Sequence, residues 1–224
     1  MMFKKFSKFE DVLINKFNQH PLWAQLPKRS NAFFIRLLLQ LGCISNHFVM
    51  WYEQAKLGIN IEFGKELIRS ILRDEVSRNL PTHQDNRLYD LIEKIGISKK
   101  LALSVKPSPT TQKTIKKLFN LVRYPQSDYD LRVLVSLRIA GEVLVAETYR
   151  HIVPALTTRF SIKPRDSKFY YPHFKHDAKD AKGHTDSFDK ILKSLIIDER
   201  TLAIAKASAK KAFAIRLAFY DQFV

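Results

Sequence analysis

The segment Phe169–Phe188 contains three side chains whose types and spacing suit metal binding. His176, Asp180 and His184 recur at four-residue intervals, as H-x3-D-x3-H. On an α-helix each four-residue step turns about 400°, so the three side chains share one stripe about 80° wide. Imidazole and carboxylate groups are ligands for iron, manganese and zinc. The pattern predicts a metal-binding helix, and the alternative interpretation is a solvated, charged helix face.

The length of this stripe limits how it can bind an ion. His176 and His184 are about 12 Å apart along a helix axis, which is too far for one ion. A pair of ions about 3.5–4 Å apart fits better, with Asp180 reaching both. A helical bulge would also shorten the span. His173 and Asp177 form a second H-x3-D pattern, so the register of the site stays open.

The composition excludes several other kinds of site. The chain has 224 residues, of which 46% are hydrophobic, and its single cysteine is Cys43. One cysteine cannot form an intrachain disulfide, a zinc finger or an iron–sulfur cluster. The sequence contains neither a G-x-G-x-x-G nor a P-loop pattern for binding phosphates. The lone cysteine and the absence of a secretory signal pattern at the N-terminus predict a cytoplasmic protein.

Charge and hydropathy bear on the partners of the chain. The formal net charge of +16 favours attraction to anions, including nucleic acid and membrane surfaces. The basic residues are scattered, however, with no run longer than two, so nucleic acid is not an expected partner. The most apolar run, Ala32–Tyr52, is interrupted by Arg36, Gln40, Asn46 and His47. We therefore interpret it as a buried helix and not as a membrane span.

Apolar residues recur at helical spacing along almost the whole chain, and no strand pair is evident. We predict an all-α, compact bundle of about eight helices that forms one domain over residues 1–224. Thr82 and Asp85 predict a capped helix start, and Gly96 predicts a helix end. The polar residues 157–168 are the best candidate for a loop. The predicted helices cover about residues 5–18, 29–58, 61–78, 83–94, 99–105, 110–123, 128–156, 169–196 and 199–223.

Two acidic residues elsewhere in the chain lie on apolar helix faces. Glu75 and Glu147 each follow apolar residues three, four and seven positions earlier. A buried carboxylate is costly unless it is paired, so each is either an ion-pair partner or a metal ligand. Asp74 and Glu142 instead have an arginine four residues away, which predicts exposed ion pairs. His151 follows Glu147 by one helical turn and is a candidate additional or supporting ligand.

The order of these elements resembles the haem-oxygenase-like di-iron oxidase superfamily over roughly residues 30–220. Its relatives include para-aminobenzoate synthase-like and thiaminase-II-like proteins. The matching segments are LIRSILRDEVSRNLPTHQDNRLYDLIEKIGI, GEVLVAETYRHIVPAL and the H-x3-D-x3-H helix. In many members of the superfamily, the last aspartate and histidine of this helix are one residue closer to each other than they are here. The resemblance implies a haem-oxygenase-like fold with an iron pair, or a manganese–iron pair. The ligands that it implies are Glu75, His83, Glu147, His176, Asp180 and His184.

The resemblance also implies a function. A di-iron oxidase or oxygenase would use dioxygen as co-substrate to oxidise a small organic molecule inside the bundle. One alternative is a metal-free, thiaminase-like enzyme with Cys43 as nucleophile, and another is a basic helical protein that binds nucleic acid or a protein partner. No separate proton-transfer residue is predicted, and a homodimer is left open. The aromatic residues that could line a substrate pocket are Phe48, Trp51, Tyr52 and Tyr149. Their helical spacing is also compatible with an ordinary hydrophobic core.

We expect Asp180→Ala to abolish iron-dependent oxygen consumption while the fold is retained. The substitution removes a predicted bridging ligand, and it also relieves repulsion among crowded carboxylates in the metal-free protein. Bound iron per chain and oxygen uptake, after ferrous ion is added anaerobically and air is admitted, provide the measurement. Asp186→Ala is the control and should change neither quantity. If the Asp180 variant behaves like the parent, the stripe is a solvated helix face.

Overall fold

The computed structural model describes residues 2–76, 82–176, 179 and 183–224, except for the side chain of His176. The described residues form helices and no β-strand, which confirms the all-α prediction. Two segments, Asp90–Lys94 and Arg138–Val143, are π-helical. The α-helices are α1 (Met2–Asn18), α2 (Pro21–Gln25), α3 (Asn31–Ser45), α4 (Phe48–Gly58), α5 (Glu62–Glu75), α6 (His83–Tyr89), α7 (Lys99–Ser104), α8 (Pro109–Leu121), α9 (Tyr129–Leu137), α10 (Leu144–Phe160), α11 (Tyr170–His176), α12 (His184–Leu195) and α13 (Glu199–Tyr220).

The bundle has more helices than the eight expected, because long predicted helices are divided. The helix predicted over 29–58 is split between α3 and α4, and the one over 169–196 between α11 and α12, with Lys179 in a turn. The segment predicted as a loop at 157–168 is helical as far as Phe160, and Pro164–Asp166 forms a 3-10 turn. Apolar spacing continues across each break, so the hydrophobic pattern alone does not mark where one helix ends.

Several helix ends follow from local sequence as predicted. Thr82 caps α6 through its side chain, and Asp85 returns the contact to the Thr82 backbone, which completes a capping box. Gly96 has a φ of +81°, a left-handed conformation that favours glycine and ends the helical run after Asp90–Lys94. Asp198 and Thr201 form an equivalent box at the start of α13. These caps fix where α6 and α13 begin.

The last long helix, α13, is surrounded by other helices. It packs against α1, α8, α9 and the π-helical segment Arg138–Val143. Ala205, Ala209 and Ala212 on its buried faces have no exposed surface. Small side chains let neighbouring helices approach closely, so α13 forms a central helix against which α1, α8, α9 and the segment Arg138–Val143 are assembled.

The apolar stretch over α3 and α4 belongs to this core. Residues Asn31–Gly58 are long and apolar enough to cross a membrane by length and composition. However, α3 and α4 are separate helices, and Leu37, Leu38 and Tyr52 have no exposed surface. The stretch packs as core helices of the bundle.

Arg138 is a deeply buried charged residue that makes several polar contacts. Its side chain is 1% exposed and donates to both carboxylate oxygens of Glu10, at 2.6 and 3.2 Å, and to the carbonyl of Thr185 at 2.6 Å. It also lies 2.7 Å from a carboxylate oxygen of Asp189. The network joins α1, the π-helical segment and the start of α12.

The predicted exposed pair between Arg138 and Glu142 is wrong. Both residues are buried, with exposed fractions of 0% and 2%. They lie in the π-helical segment Arg138–Val143, where the turn contains one extra residue, so positions four apart no longer stack as they do on an α-helix. Arg138 therefore points toward α1 and α12, while Glu142 has different partners.

We expect Glu10→Ala to lower the free energy of unfolding by about 3–5 kcal/mol, because it leaves the buried Arg138 without its bidentate partner. Urea denaturation measures the effect. The matched control is Glu199→Ala, which removes an exposed pair with Lys5. Such a pair contributes about 1 kcal/mol or less. Equal losses in the two variants would show that the Arg138 network does not stabilise the bundle specifically.

Candidate metal centre

Three residues from three helix segments form a first cluster of potential ligands. One ligand atom each from Glu75, His83 and His173 lies within 4.8 Å of the other two. Glu75 ends α5, His83 begins α6 and His173 lies on α11. The Nδ1 atom of His83 is 2.7 Å from Oε1 of Glu75, and the ring centroids of His83 and His173 are 4.6 Å apart. Two predicted ligands thus meet a histidine from the alternative register.

The ring of His173 is oriented for ligation. Its Nδ1 atom is 2.7 Å from the carbonyl oxygen of Phe169. A carbonyl only accepts, so Nδ1 carries the proton and Nε2 keeps its lone pair. Histidines that bind metals usually have this arrangement, in which the second ring nitrogen donates to a carbonyl or carboxylate. A cation at this cluster would therefore bind His173 through Nε2.

Asp90 fixes the backbone that orients His173. Its carboxylate accepts hydrogen bonds from the backbone N–H groups of Lys168 and Phe169, both at 2.9 Å, and from the hydroxyl of Ser167 at 2.8 Å. Asp90 is 2% exposed and begins the π-helical segment Asp90–Lys94. It holds the chain immediately before α11, including the carbonyl that His173 contacts.

A second cluster adjoins the first and consists of Asp74, Glu142 and His184. The two nitrogens of His184 face two carboxylates: Nδ1 is 3.3 Å from Oε2 of Glu142, and Nε2 is 3.1 Å from Oδ2 of Asp74. A neutral imidazole has one N–H, so it can donate to only one of them. The other contact requires a second proton or a bound cation between the atoms. Asp74 and Glu75 are consecutive residues, which joins the two clusters.

Tyr52 holds the second cluster in place. Its hydroxyl donates to Oε1 of Glu142 at 2.5 Å. The phenol reaches Glu142 by passing over Gly141, where an added Cβ would lie 2.2 Å from the tyrosine oxygen. A larger residue at position 141 would therefore displace Tyr52 from Glu142.

Both clusters line one cavity of about 530 Å³, a volume typical of small-molecule sites. Most of its wall is apolar. Of the aromatic residues predicted to line a pocket, Phe48, Trp51 and Tyr149 border the cavity. The other apolar lining residues include Leu41, Ile44, Ile115, Leu118, Phe119, Val145 and Phe169.

The partners of these carboxylates suit a cation site. Glu75 lies 2.7 Å from His83, and Glu142 contacts both His184 and Tyr52. Carboxylates and imidazoles are the ligand types that bind iron, manganese or zinc.

Glu147, which the sequence predicted as a ligand, lies outside this cavity. It is 2% exposed, and its carboxylate accepts from the Asn18 amide at 2.8 Å and lies 3.1 Å from Arg150. The cavity is instead bordered by Glu142, from the preceding π-helical turn. Glu147 is buried as α-helical spacing predicted, but the π-helical turn also buries Glu142, which the spacing placed on the surface.

The H-x3-D-x3-H stripe is not one continuous helix, because Lys179 and Gly183 lie in turns between α11 and α12. His173 lies in the first cluster and His184 in the second. Asp180 and Asp177 lie outside the described residues, as does the side chain of His176. Asp177 and Asp180, the acids of the two predicted registers, therefore lie in the sequence between His173 and His184.

No protein-family model matches this sequence, and no curated protein is significantly similar to it. Solved structures, however, match it along nearly its whole length. A protein of Shewanella denitrificans OS217, described as a domain of unknown function with a heme oxygenase-like fold, has a TM-score of 0.74 at 16% identity. The match covers 100% of this chain and 91% of that one. The chain has a haem-oxygenase-like fold.

Other structures with this fold agree. A CADD-like protein of unknown function from Nostoc punctiforme PCC 73102 has a TM-score of 0.76 at 14% identity, covering 98% of this chain and 97% of its own. A TenA family transcription regulator from Silicibacter sp. TM1040 has a TM-score of 0.68 at 12% identity, covering 97% and 95%. These matches confirm the haem-oxygenase-like fold that the sequence predicted.

His151, a candidate supporting ligand in the sequence, belongs to a separate buried network. Its Nε2 atom donates to the Asn18 side-chain oxygen at 2.8 Å, and Asn18 in turn donates to Glu147 at 2.8 Å. The imidazole stacks on Trp23 with centroids 4.5 Å apart. Burial, aided by the Arg150 charge, lowers the pKa of His151 to about 4.

We expect this network to be destabilised by acid. The pKa of His151 is about 4 in the folded protein against an ordinary value of 6.5, so the unfolded chain binds more protons between these values. The stability from neutral His151 is therefore complete above about pH 6.5 and is lost as the pH falls toward 4. Urea titrations of the parent and His151→Gln across this range should show the parent's advantage shrinking with acid. A constant difference would contradict the assignment.

Proposed function

We propose that this protein is a di-iron oxidase or oxygenase that acts on a small organic substrate in the bundle cavity. The observation that supports this most strongly is the pair of adjoining clusters, Glu75–His83–His173 and Asp74–Glu142–His184, on one cavity wall. Two clusters suit two ions. Asp177 and Asp180, in the segment between His173 and His184, are the candidates for a further carboxylate ligand.

When bound, a pair of ferrous ions would supply the electrons that reduce dioxygen for oxidation of the substrate. The protein supplies orientation and charge. Phe169 accepts from Nδ1 of His173 and Asp90 holds the preceding backbone, so Nε2 would be the ligating nitrogen, and Tyr52 holds one oxygen of Glu142. Carboxylates at both clusters offset most of the charge of two divalent ions. The apolar wall limits the access of water to the reacting groups.

The metal-free, thiaminase-like alternative is not favoured by the position of Cys43. Its side chain is 5% exposed, it does not border the cavity, and its nearest polar contact is the Val105 carbonyl at 4.0 Å. Burial raises the pKa of the Cys43 thiol, which lowers the fraction of reactive thiolate. Structures of the same fold include TenA homologues, so the fold alone does not select the function. The side chains of the cavity are what favour a metal.

We expect Glu142→Gln and His173→Ala to bind less than the parent's two iron ions per chain and to lose most iron-dependent oxygen uptake. Each substitution removes a negative or imidazole ligand from one cluster. Iron content after anaerobic reconstitution, followed by oxygen uptake in air, provides the measurement.

Glu147→Gln is the matched control, because it changes a buried acid on the same long helical run outside the cavity. It should bind iron like the parent. Loss of iron from Glu147→Gln with retention in Glu142→Gln would restore the ligand set predicted from spacing. A parent that binds no iron would remove the proposed function.

A further inference from the structure

One buried arginine on the cavity wall has no anionic partner among the described residues. Arg216, on α13, is 4% exposed and borders the cavity. Its Nη2 atom is 3.4 Å from the Tyr220 hydroxyl, and its Nε atom has no hydrogen-bond partner. The guanidinium carbon lies 6.0 Å from the centre of the Tyr220 ring. These contacts are weak for a cation removed from water.

Two other arginines of the described chain are buried, and neither borders the cavity. Arg138 is paired with Glu10 and Asp189, whereas Arg87 donates to the neutral Asn46 side chain at 2.6 Å and, like Arg216, has an Nε atom without a hydrogen-bond partner. An unpaired buried charge costs several kcal/mol in general, so a protein rarely retains one without a partner. For Arg216, the side that remains for a partner is the cavity.

Arg216 borders the same cavity as the two clusters. Tyr149 also borders it: its ring centroid is 5.9 Å from that of His173, and the Arg216 charge opposes the increase in the Tyr149 pKa that burial causes. An anion held by Arg216 would thus lie in the cavity that the clusters line, with the apolar wall around Leu41, Ile44 and Phe119 available for the rest of the molecule.

We propose that Arg216 binds the carboxylate of a substrate that also has an apolar body. A guanidinium presents parallel N–H groups that match the two oxygens of a carboxylate. As a substrate assignment this rests on the proposed function, but anion binding by Arg216 does not require iron. The residue would determine which molecules enter the cavity and which end lies near the clusters.

Calorimetric titration of the metal-free protein tests the proposal, with 4-phenylbutanoate and octanoate compared with their neutral amides. At about 150 mM salt, nonspecific attraction to the basic surface is screened. We expect each carboxylate to bind about 10- to 100-fold more tightly than its amide, the range expected for a hydrogen bond to a charged group. Arg216→Gln should lose this preference and still bind the amides.

The matched control is Lys175→Gln, which removes an exposed cation that also borders the cavity. It should keep the preference. Arg216→Met is a second variant, and it should unfold at a higher temperature than the ligand-free parent because it removes an unpaired buried charge. Equal binding of acid and amide by the parent, no binding of either, or an unchanged preference in Arg216→Gln would overturn the proposal. Failure of both Arg216 variants to fold would also overturn it, since the guanidinium would then be structural.

If the parent binds carboxylates but no iron, the proposed function fails while the Arg216 site stands. If the parent binds iron but shows no preference for carboxylates, the Arg216 proposal fails while the proposed function stands. The two proposals therefore have separate outcomes.

Discussion

The network around Arg138 is the constraint on which the candidate centre depends. It places one cation, with no exposed surface, between Glu10 of α1 and Asp189 of α12, and it also binds the carbonyl of Thr185. Burial raises the pKa of Glu10, and the Arg138 charge opposes that shift. Thr185 directly follows His184, and Glu142 lies one turn after Arg138. The same ion network thus sets the positions of both halves of the second cluster.

The candidate centre is assembled mainly where helices start, end or change pitch. Glu75 is the last residue of α5, His83 and His184 are the first residues of α6 and α12, and Glu142 lies in a π-helical turn. Side chains at such positions can converge from several directions, whereas one regular helix face offers a single stripe. Asp90, in the other π-helical segment, fixes the approach to α11. Irregular helical turns of this kind often occur at functional sites.

The distribution of charge agrees with this arrangement. The chain has a net charge of +16, yet the two clusters bring Asp74, Glu75 and Glu142 together with His83, His173 and His184 on the cavity wall. Of the cations that border the cavity, Arg216 lies near Tyr149 and Tyr220 and has no carboxylate partner among the described residues. The two proposed sites therefore have opposite charge, which would orient a polar substrate between them.

The sequence by itself determined the all-α class, the caps at Thr82 and Gly96 and the inward position of Glu75, because these depend on apolar periodicity and local hydrogen bonding. The haem-oxygenase-like fold was predicted from the resemblance of three sequence segments to that superfamily. Only the tertiary structure decided that Glu142, and not Glu147, borders the cavity, that His173 joins Glu75, and that Arg216 has no anionic partner among the described residues. A π-helical turn leaves no mark in hydrophobic spacing, yet it rotates every residue after it. Pairing between distant helices depends on how they pack, which no local pattern records.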